Sequence, residues 1–175
     1  MKNLIIASAI ALPLAATSAH AAGGGEEKAP SKPKCETGLI YDKKTKTCVN
    51  AQESNLDVDG LYENVRELAY AGRYDEALVV LAQMPAEDDR TLTYLGFTNR
   101  KMGNTQAAMD YYTRAIEVNP ANNLARSYMG QGFVTQGRLT DAVAQLREIE
   151  ANGGQGTWAE ASLRRAILDG TTTDY

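Results

Sequence analysis

Cys35, Cys48 and His20 are the side chains of this 175-residue chain best suited to nucleophilic or soft-metal chemistry, and their positions limit what they can do. His20 is the only histidine, and it falls inside a leading stretch that reads as removable. Without it no Ser–His or Cys–His pair can form, and two cysteines are too few for a structural zinc site. The chemistry left to the thiols is a bond to each other. The carboxylate pairs Asp75–Glu76 and Asp88–Asp89 stand where helices are expected to begin, where the helix macrodipole accounts for them. No glycine run suits a phosphate: Gly23-Gly24-Gly25 opens no helix, and Gly153-Gly154-Gln155-Gly156 follows no strand. These residues predict no catalytic site, no metal and no cofactor. The chain is expected to bind rather than to catalyse.

The elements around these residues begin with an export signal. Met1 and Lys2 make a short basic start, Leu4 to Ala16 form an apolar stretch broken by Pro13, and Ala19-His20-Ala21 is a small-x-small cleavage site. Residues 1–21 therefore read as a secretory signal peptide. The stretch is shorter than the ~20 apolar residues a membrane span needs, so the protein is expected not to be membrane-embedded. Periplasmic residence is the expectation, with secretion as the lesser reading. Cleavage removes Lys2 from the 18 basic side chains and leaves all 22 acidic ones, a formal charge of −5. That sign argues against nucleic acid as a partner.

Residues 22–34 hold three Gly and two Pro with no apolar side chain larger than Ala, so they read as a flexible linker. Within residues 35–50, two β-prone runs, Leu39-Ile40-Tyr41 and Thr47-Cys48-Val49, flank a polar turn and predict a small hairpin. Export places Cys35 and Cys48 where disulfides persist, and the pair is expected to staple it. Cys35, Gly38, Leu39, Tyr41, Asp42, Thr45 and Cys48 resemble the opening of peritrophin-type chitin-binding modules, although that family's other cysteines are absent. The resemblance keeps open an alternative function, a cell-wall or glycan-associating envelope protein whose binding element is the hairpin.

After a linker at residues 51–57, the dominant signal in residues 58–154 is a repeat. At a 34-residue spacing Gly96 falls over Gly130, Gly103 over Gly137, Ala108 over Ala142, Tyr112 over Leu146 and Ala115 over Ile149. Apolar residues at three- and four-residue spacing predict helices near 59–71, 74–84, 90–102, 105–118, 122–136, 140–151 and 157–168. Gly103 ends one helix, Asn104 is placed to cap the next, and Gly96 and Ala108 are small enough to let the pair approach closely. Residues 155–175 supply a capping helix and tail, with Trp158 as a core anchor. Leu95-Gly96, Gly103, Ala108, Tyr112, Ala115 and Pro120 resemble the tetratricopeptide repeat (TPR). That resemblance implies an all-α fold, a short right-handed TPR superhelix of three helix pairs plus a C-terminal capping helix, behind the disulfide hairpin.

The same resemblance implies a concave groove lined by positions of each first helix, here Tyr62, Arg66 and Tyr70, then Tyr94, Phe97, Arg100 and Lys101, then Tyr128 and Gln131. Tyr and Arg suit protein recognition because they combine rigid contact area with a polar tip or a planar charge. The competing expectation is that these rings pack neighbouring first helices together. The implied function is an adaptor or scaffold that holds another protein or peptide in this groove. Nothing in the pattern indicates a homo-oligomer.

Overall fold

The computed structural model describes residues 34–172, so the expected signal peptide at 1–21, most of the expected linker at 22–34 and residues 173–175 lie outside it. Two strands, β1 (Leu39–Asp42) and β2 (Thr47–Asn50), precede seven helices. These are α1 (Val58–Tyr70), α2 (Tyr74–Leu81), α3 (Asp89–Lys101), α4 (Thr105–Val118), α5 (Asn123–Thr135), α6 (Leu139–Ala151) and α7 (Trp158–Asp169). The fold is mostly helical with a small hairpin. No helix among the described residues is long and apolar enough to cross a membrane.

The helices come in pairs because each first helix ends in the same way. Gly72, Gly103 and Gly137 adopt left-handed backbone angles that a side chain would resist, and the next residue returns its N–H to the last turn. Arg73 N donates to Leu68 O, Asn104 N to Asn99 O and Arg138 N to Phe133 O, at 2.8–2.9 Å. This closure satisfies carbonyls the helix leaves open and reverses the chain within two residues. First helices start on side-chain caps: Asp57, Asp88, Asn122 and Thr157 each accept from backbone N–H groups one turn on. Second helices do not. Sequence places Asn104 as the cap of α4, but the tight turn leaves it at ψ 61° rather than extended, and its amide donates to Asn99 Oδ1 instead. Helix α2 stops at Leu81, short of residue 84, because Gln83 and Met84 tighten into i→i+3 bonds ahead of Pro85.

Each first helix touches the next, α1 to α3 to α5 to α7, and each second helix packs on its own pair and on the following first helix. The result is two rows of helices over two hydrophobic clusters, with Met109 and Met129 packed against both. Gly96 sets the spacing within the middle pair. A Cβ there would lie 2.5 Å from two ring carbons of Tyr112, so glycine is the residue that seats this buried ring. Ala108, expected as the other half of the close approach, is fully buried without being the contact at Gly96. Gly130 repeats the device with another partner: it faces Leu163 of α7, not Leu146 of its own pair.

The hairpin closes the first end of the array. Its register pairs Ile40 with Val49 and Tyr41 with Cys48, and Cys35 and Cys48 form the expected disulfide with Cα atoms 5.7 Å apart. Ile40 is 3% exposed and joins the core. Asn64 of α1 acts as a surrogate strand edge, donating to Tyr41 O at 3.0 Å and accepting from Tyr41 N at 2.9 Å. Gly38 N donates to Glu76 Oε2, and Arg73 donates to the carbonyls of Cys35 and Glu36. These bonds satisfy the backbone of a unit too small to be stable alone. Residues 51–57 are more than a connection, since Ala51 is buried and Leu56 packs on the core.

Candidate functional site

First helices carry a ladder of aromatic rings across the array. Tyr62 meets Tyr94 edge to face at 5.6 Å, Tyr94 meets Tyr128 at 6.3 Å, and Tyr128 meets Trp158 of α7 at 5.9 Å. Phe97 lies 4.8 Å from Tyr128, and Tyr70 shares a 2.6 Å hydroxyl contact with Tyr94. Edge-to-face rings at such spacing attract beyond the area they bury.

The ladder divides the expected groove residues into two groups. Tyr62, Arg66 and Tyr70 of α1 line a solvent-open hollow of about 280 Å³ together with Leu124, Thr157, Trp158 and Ala159. Tyr94, Phe97, Tyr128 and Gln131 do not line it. They are 0–1% exposed, which favours the packing of neighbouring first helices over contact with a partner. The rings of Tyr94, Phe97 and Tyr128 fill the seams between α1, α3, α5 and α7, and burial there outweighs what exposure to a ligand would gain. Gln131 sits between α5 and α7, its amide 3.4 Å from Ser127 Oγ, which in turn contacts Ser162 Oγ at 2.9 Å.

The two basic residues at the end of α3 also divide. Arg100 folds back over Phe97, its guanidinium carbon 5.7 Å from the ring centroid and its Cδ against α5 beside Gly132. Its Nε and Nη2 are buried, and its charge acts on the buried Tyr112 hydroxyl. Lys101 reaches the same ring, its Nζ 5.7 Å from the centroid. Burial and the adjacent Arg100 charge push the Lys101 ammonium down to about 8. Losing the proton relieves both penalties, so Lys101 turns into a free amine at lower pH than an ordinary lysine. The rate of Lys101 acetylation by acetic anhydride, followed by peptide mass spectrometry against pH, is expected to reach its midpoint near 8, well below that of free lysine. A Lys101 midpoint as high as that of free lysine would contradict this environment.

Arg66 is the charge the hollow presents. Its guanidinium lies 5.9 Å from the Tyr62 centroid and 5.7 Å from that of Tyr70, and its Nε is 3.4 Å from the Tyr70 hydroxyl. Burial works against the charge, but the neighbouring hydroxyls outweigh it and raise its pKa. The Tyr62 phenol is raised chiefly by burial, so it stays a neutral hydrogen-bonding tip. A second hollow of about 240 Å³ adjoins the first through Tyr62 and Leu124 and contains Asp89, Arg90, Thr93, Asn119 and Asn122. There Asp89 Oδ2 accepts from Asn119 at 2.6 Å and Asn122 at 2.9 Å, while Arg90 pairs with Asp59 and lies 5.0 Å over the Tyr62 ring. The two hollows share Tyr62 and Leu124 and form one trough across α1, α3, α5 and α7.

Leu124, Trp158 and Arg90 are trough residues that the expected groove positions left out. A signal for them exists: residues 90, 124 and 158 follow one another at the 34-residue period, one position per first helix. Trp158, expected as a core anchor, does pack on Tyr128 while its other side lines the hollow. The chain matches no protein-family model and no curated protein.

Proposed function

We propose that this chain is a TPR-like scaffold exported to the bacterial periplasm, and that it holds another protein or peptide against the trough along its first helices. The observation that carries this reading is the convergence of Tyr62, Arg66, Tyr70, Leu124 and Trp158, from three helices, on one open hollow. Small-molecule pockets run to roughly 300–1,000 Å³ and enclose most of their ligand. A shallower, open hollow with aromatic walls suits side chains projecting from a polypeptide. The TPR reading is supported by the paired helices, by their glycine closures and by the two-row packing. Export is supported by the disulfide, which persists in oxidising compartments.

The alternative, glycan binding by the hairpin, has less support. Gly38 and Tyr41, two of the residues that carry its resemblance, spend their backbone groups on α1 and α2. The hairpin so used is an end cap for the helices. A photo-reactive amino acid placed at residue 124 or 158, in cells making the full chain, is expected to cross-link a protein partner. The same group at Leu168, 80% exposed on the outer side of α7, is expected to yield none. Cross-links arising only from a probe at Lys46 in the hairpin turn would overturn the proposal in favour of the alternative.

A further inference from the structure

Resting on the peptide-binding reading above, we infer that the trough selects an acidic peptide, placing a carboxylate on Arg66 with an aliphatic or aromatic side chain beside it between Leu124 and Trp158. The argument begins with charge. The chain carries 22 acidic against 18 basic residues, yet among the described residues lining the 280 Å³ hollow Arg66 is the only charged one. The acidic residues of α1 do not line it: Glu63 reaches toward the hairpin, where it meets Lys43 at 2.6 Å. A cation in an aromatic hollow of an acidic protein is a local reversal of sign, and an open cleft focuses it on an incoming anion.

Geometry gives the charge a fixed address. The Arg66 guanidinium is held over both Tyr62 and Tyr70, so less side-chain freedom is lost when a carboxylate engages it. A planar guanidinium engages a carboxylate through two parallel N–H donors, a stronger and more directional contact than between neutral groups. Ring contacts then lead from Tyr70 to Phe97 at 6.5 Å, and Lys101 lies over Phe97, so a second cation stands one ring further along. The other end of the trough carries charges of both signs. Arg90 is matched by Asp59 and Asp88, and Asp89 is held by two asparagine amides. That end offers polar amides to a peptide main chain. Leu124 and the Trp158 ring supply the apolar seat between the two ends.

The probe is a displayed library of random peptides selected on the immobilised full chain, on Arg66→Gln and on Leu124→Glu, each checked for native helicity. Peptides enriched on the parent chain are expected to contain Asp or Glu next to a Leu, Ile, Phe, Tyr or Trp. Synthesised singly, they are expected to change the emission of Trp158, the only tryptophan in the chain. Arg66→Gln is expected to weaken them by about tenfold or more, and replacing their acid by its amide to do the same. Added salt should weaken the parent complex more than the Arg66→Gln complex. Neutral or basic peptides that depend on Leu124 but not on Arg66 would overturn the acidic preference and leave the peptide-binding trough standing. Enrichment indifferent to both substitutions, or none at all, would overturn both.

Discussion

Tyr112→Ala is expected to lower the stability of the helical array by about 3–5 kcal/mol, whereas Tyr112→Phe is expected to leave it within about 1 kcal/mol of the parent. The ring is fully buried and rests on the backbone of α3, where Gly96 leaves room for it and nothing else would fill the space. Truncation to alanine therefore opens a cavity at the tightest point of the middle pair. The hydroxyl is a different matter. It is buried beside the Arg100 guanidinium, and burial raises its pKa to about 12 against the opposing pull of that charge. Removing it leaves the ring packing intact and loses at most the contact with Arg100, which is worth about 1 kcal/mol. Urea unfolding followed by helical circular dichroism measures both variants. An alanine variant as stable as the parent would mean that Tyr112 and Gly96 are not in contact. A phenylalanine variant as damaged as alanine would mean that the contact with Arg100, and not the ring, carries the stability.

The helical pairs are legible in the sequence because their signals are local. Glycine after each first helix, small and apolar residues at three- and four-residue spacing, and the 34-residue recurrence all report on backbone conformation or on the buried face of a single helix. The cysteine pair is legible for the same reason, being two residues in one short hairpin. The destination of each tyrosine is not. Tyr62 and Tyr94 are the same residue type, and sequence places both in the groove, yet one lines the trough and the other is buried among four rings. A tyrosine has both an apolar face to bury and a polar tip to expose, so its type does not choose between them. The choice depends on how far each first helix lies from the next, a property of contacts between repeats. Arg100 shows the same limit: its long stem lets it fold over Phe97 toward α5, a direction that position on α3 alone does not reveal. Asn104 fails as a cap for a local reason, because the glycine before it fixes an entry angle that side-chain capping does not tolerate.

Converting Cys35 and Cys48 to serine together is expected to cost the hairpin about 3 kcal/mol, because the bond closes a loop with a sequence separation of 13 and constrains the unfolded segment. The loss should be concentrated at one end. The hairpin is tied to α1 and α2 by Asn64, Glu76, Arg73 and the buried Ile40, and no contact joins it to α4, α5, α6 or α7. Hydrogen exchange is expected to show lost protection at Tyr41 and along β1 and β2, weakened protection in α1, and α5 to α7 unchanged. Equal loss along the whole array would refute the end-cap assignment. The variant also bears on binding. Asn64 and Arg66 are two residues apart on α1, so their side chains point about 200° apart around the helix axis. The hairpin therefore braces from behind the wall that presents Arg66 to the trough. If the trough is the binding element, the double-serine variant should bind its partner more weakly in proportion to the loosening of α1, and a ligand held mainly by Leu124 and Trp158 should be retained. Complete loss of binding with α1 still fully protected would mean that the hairpin itself makes the contact.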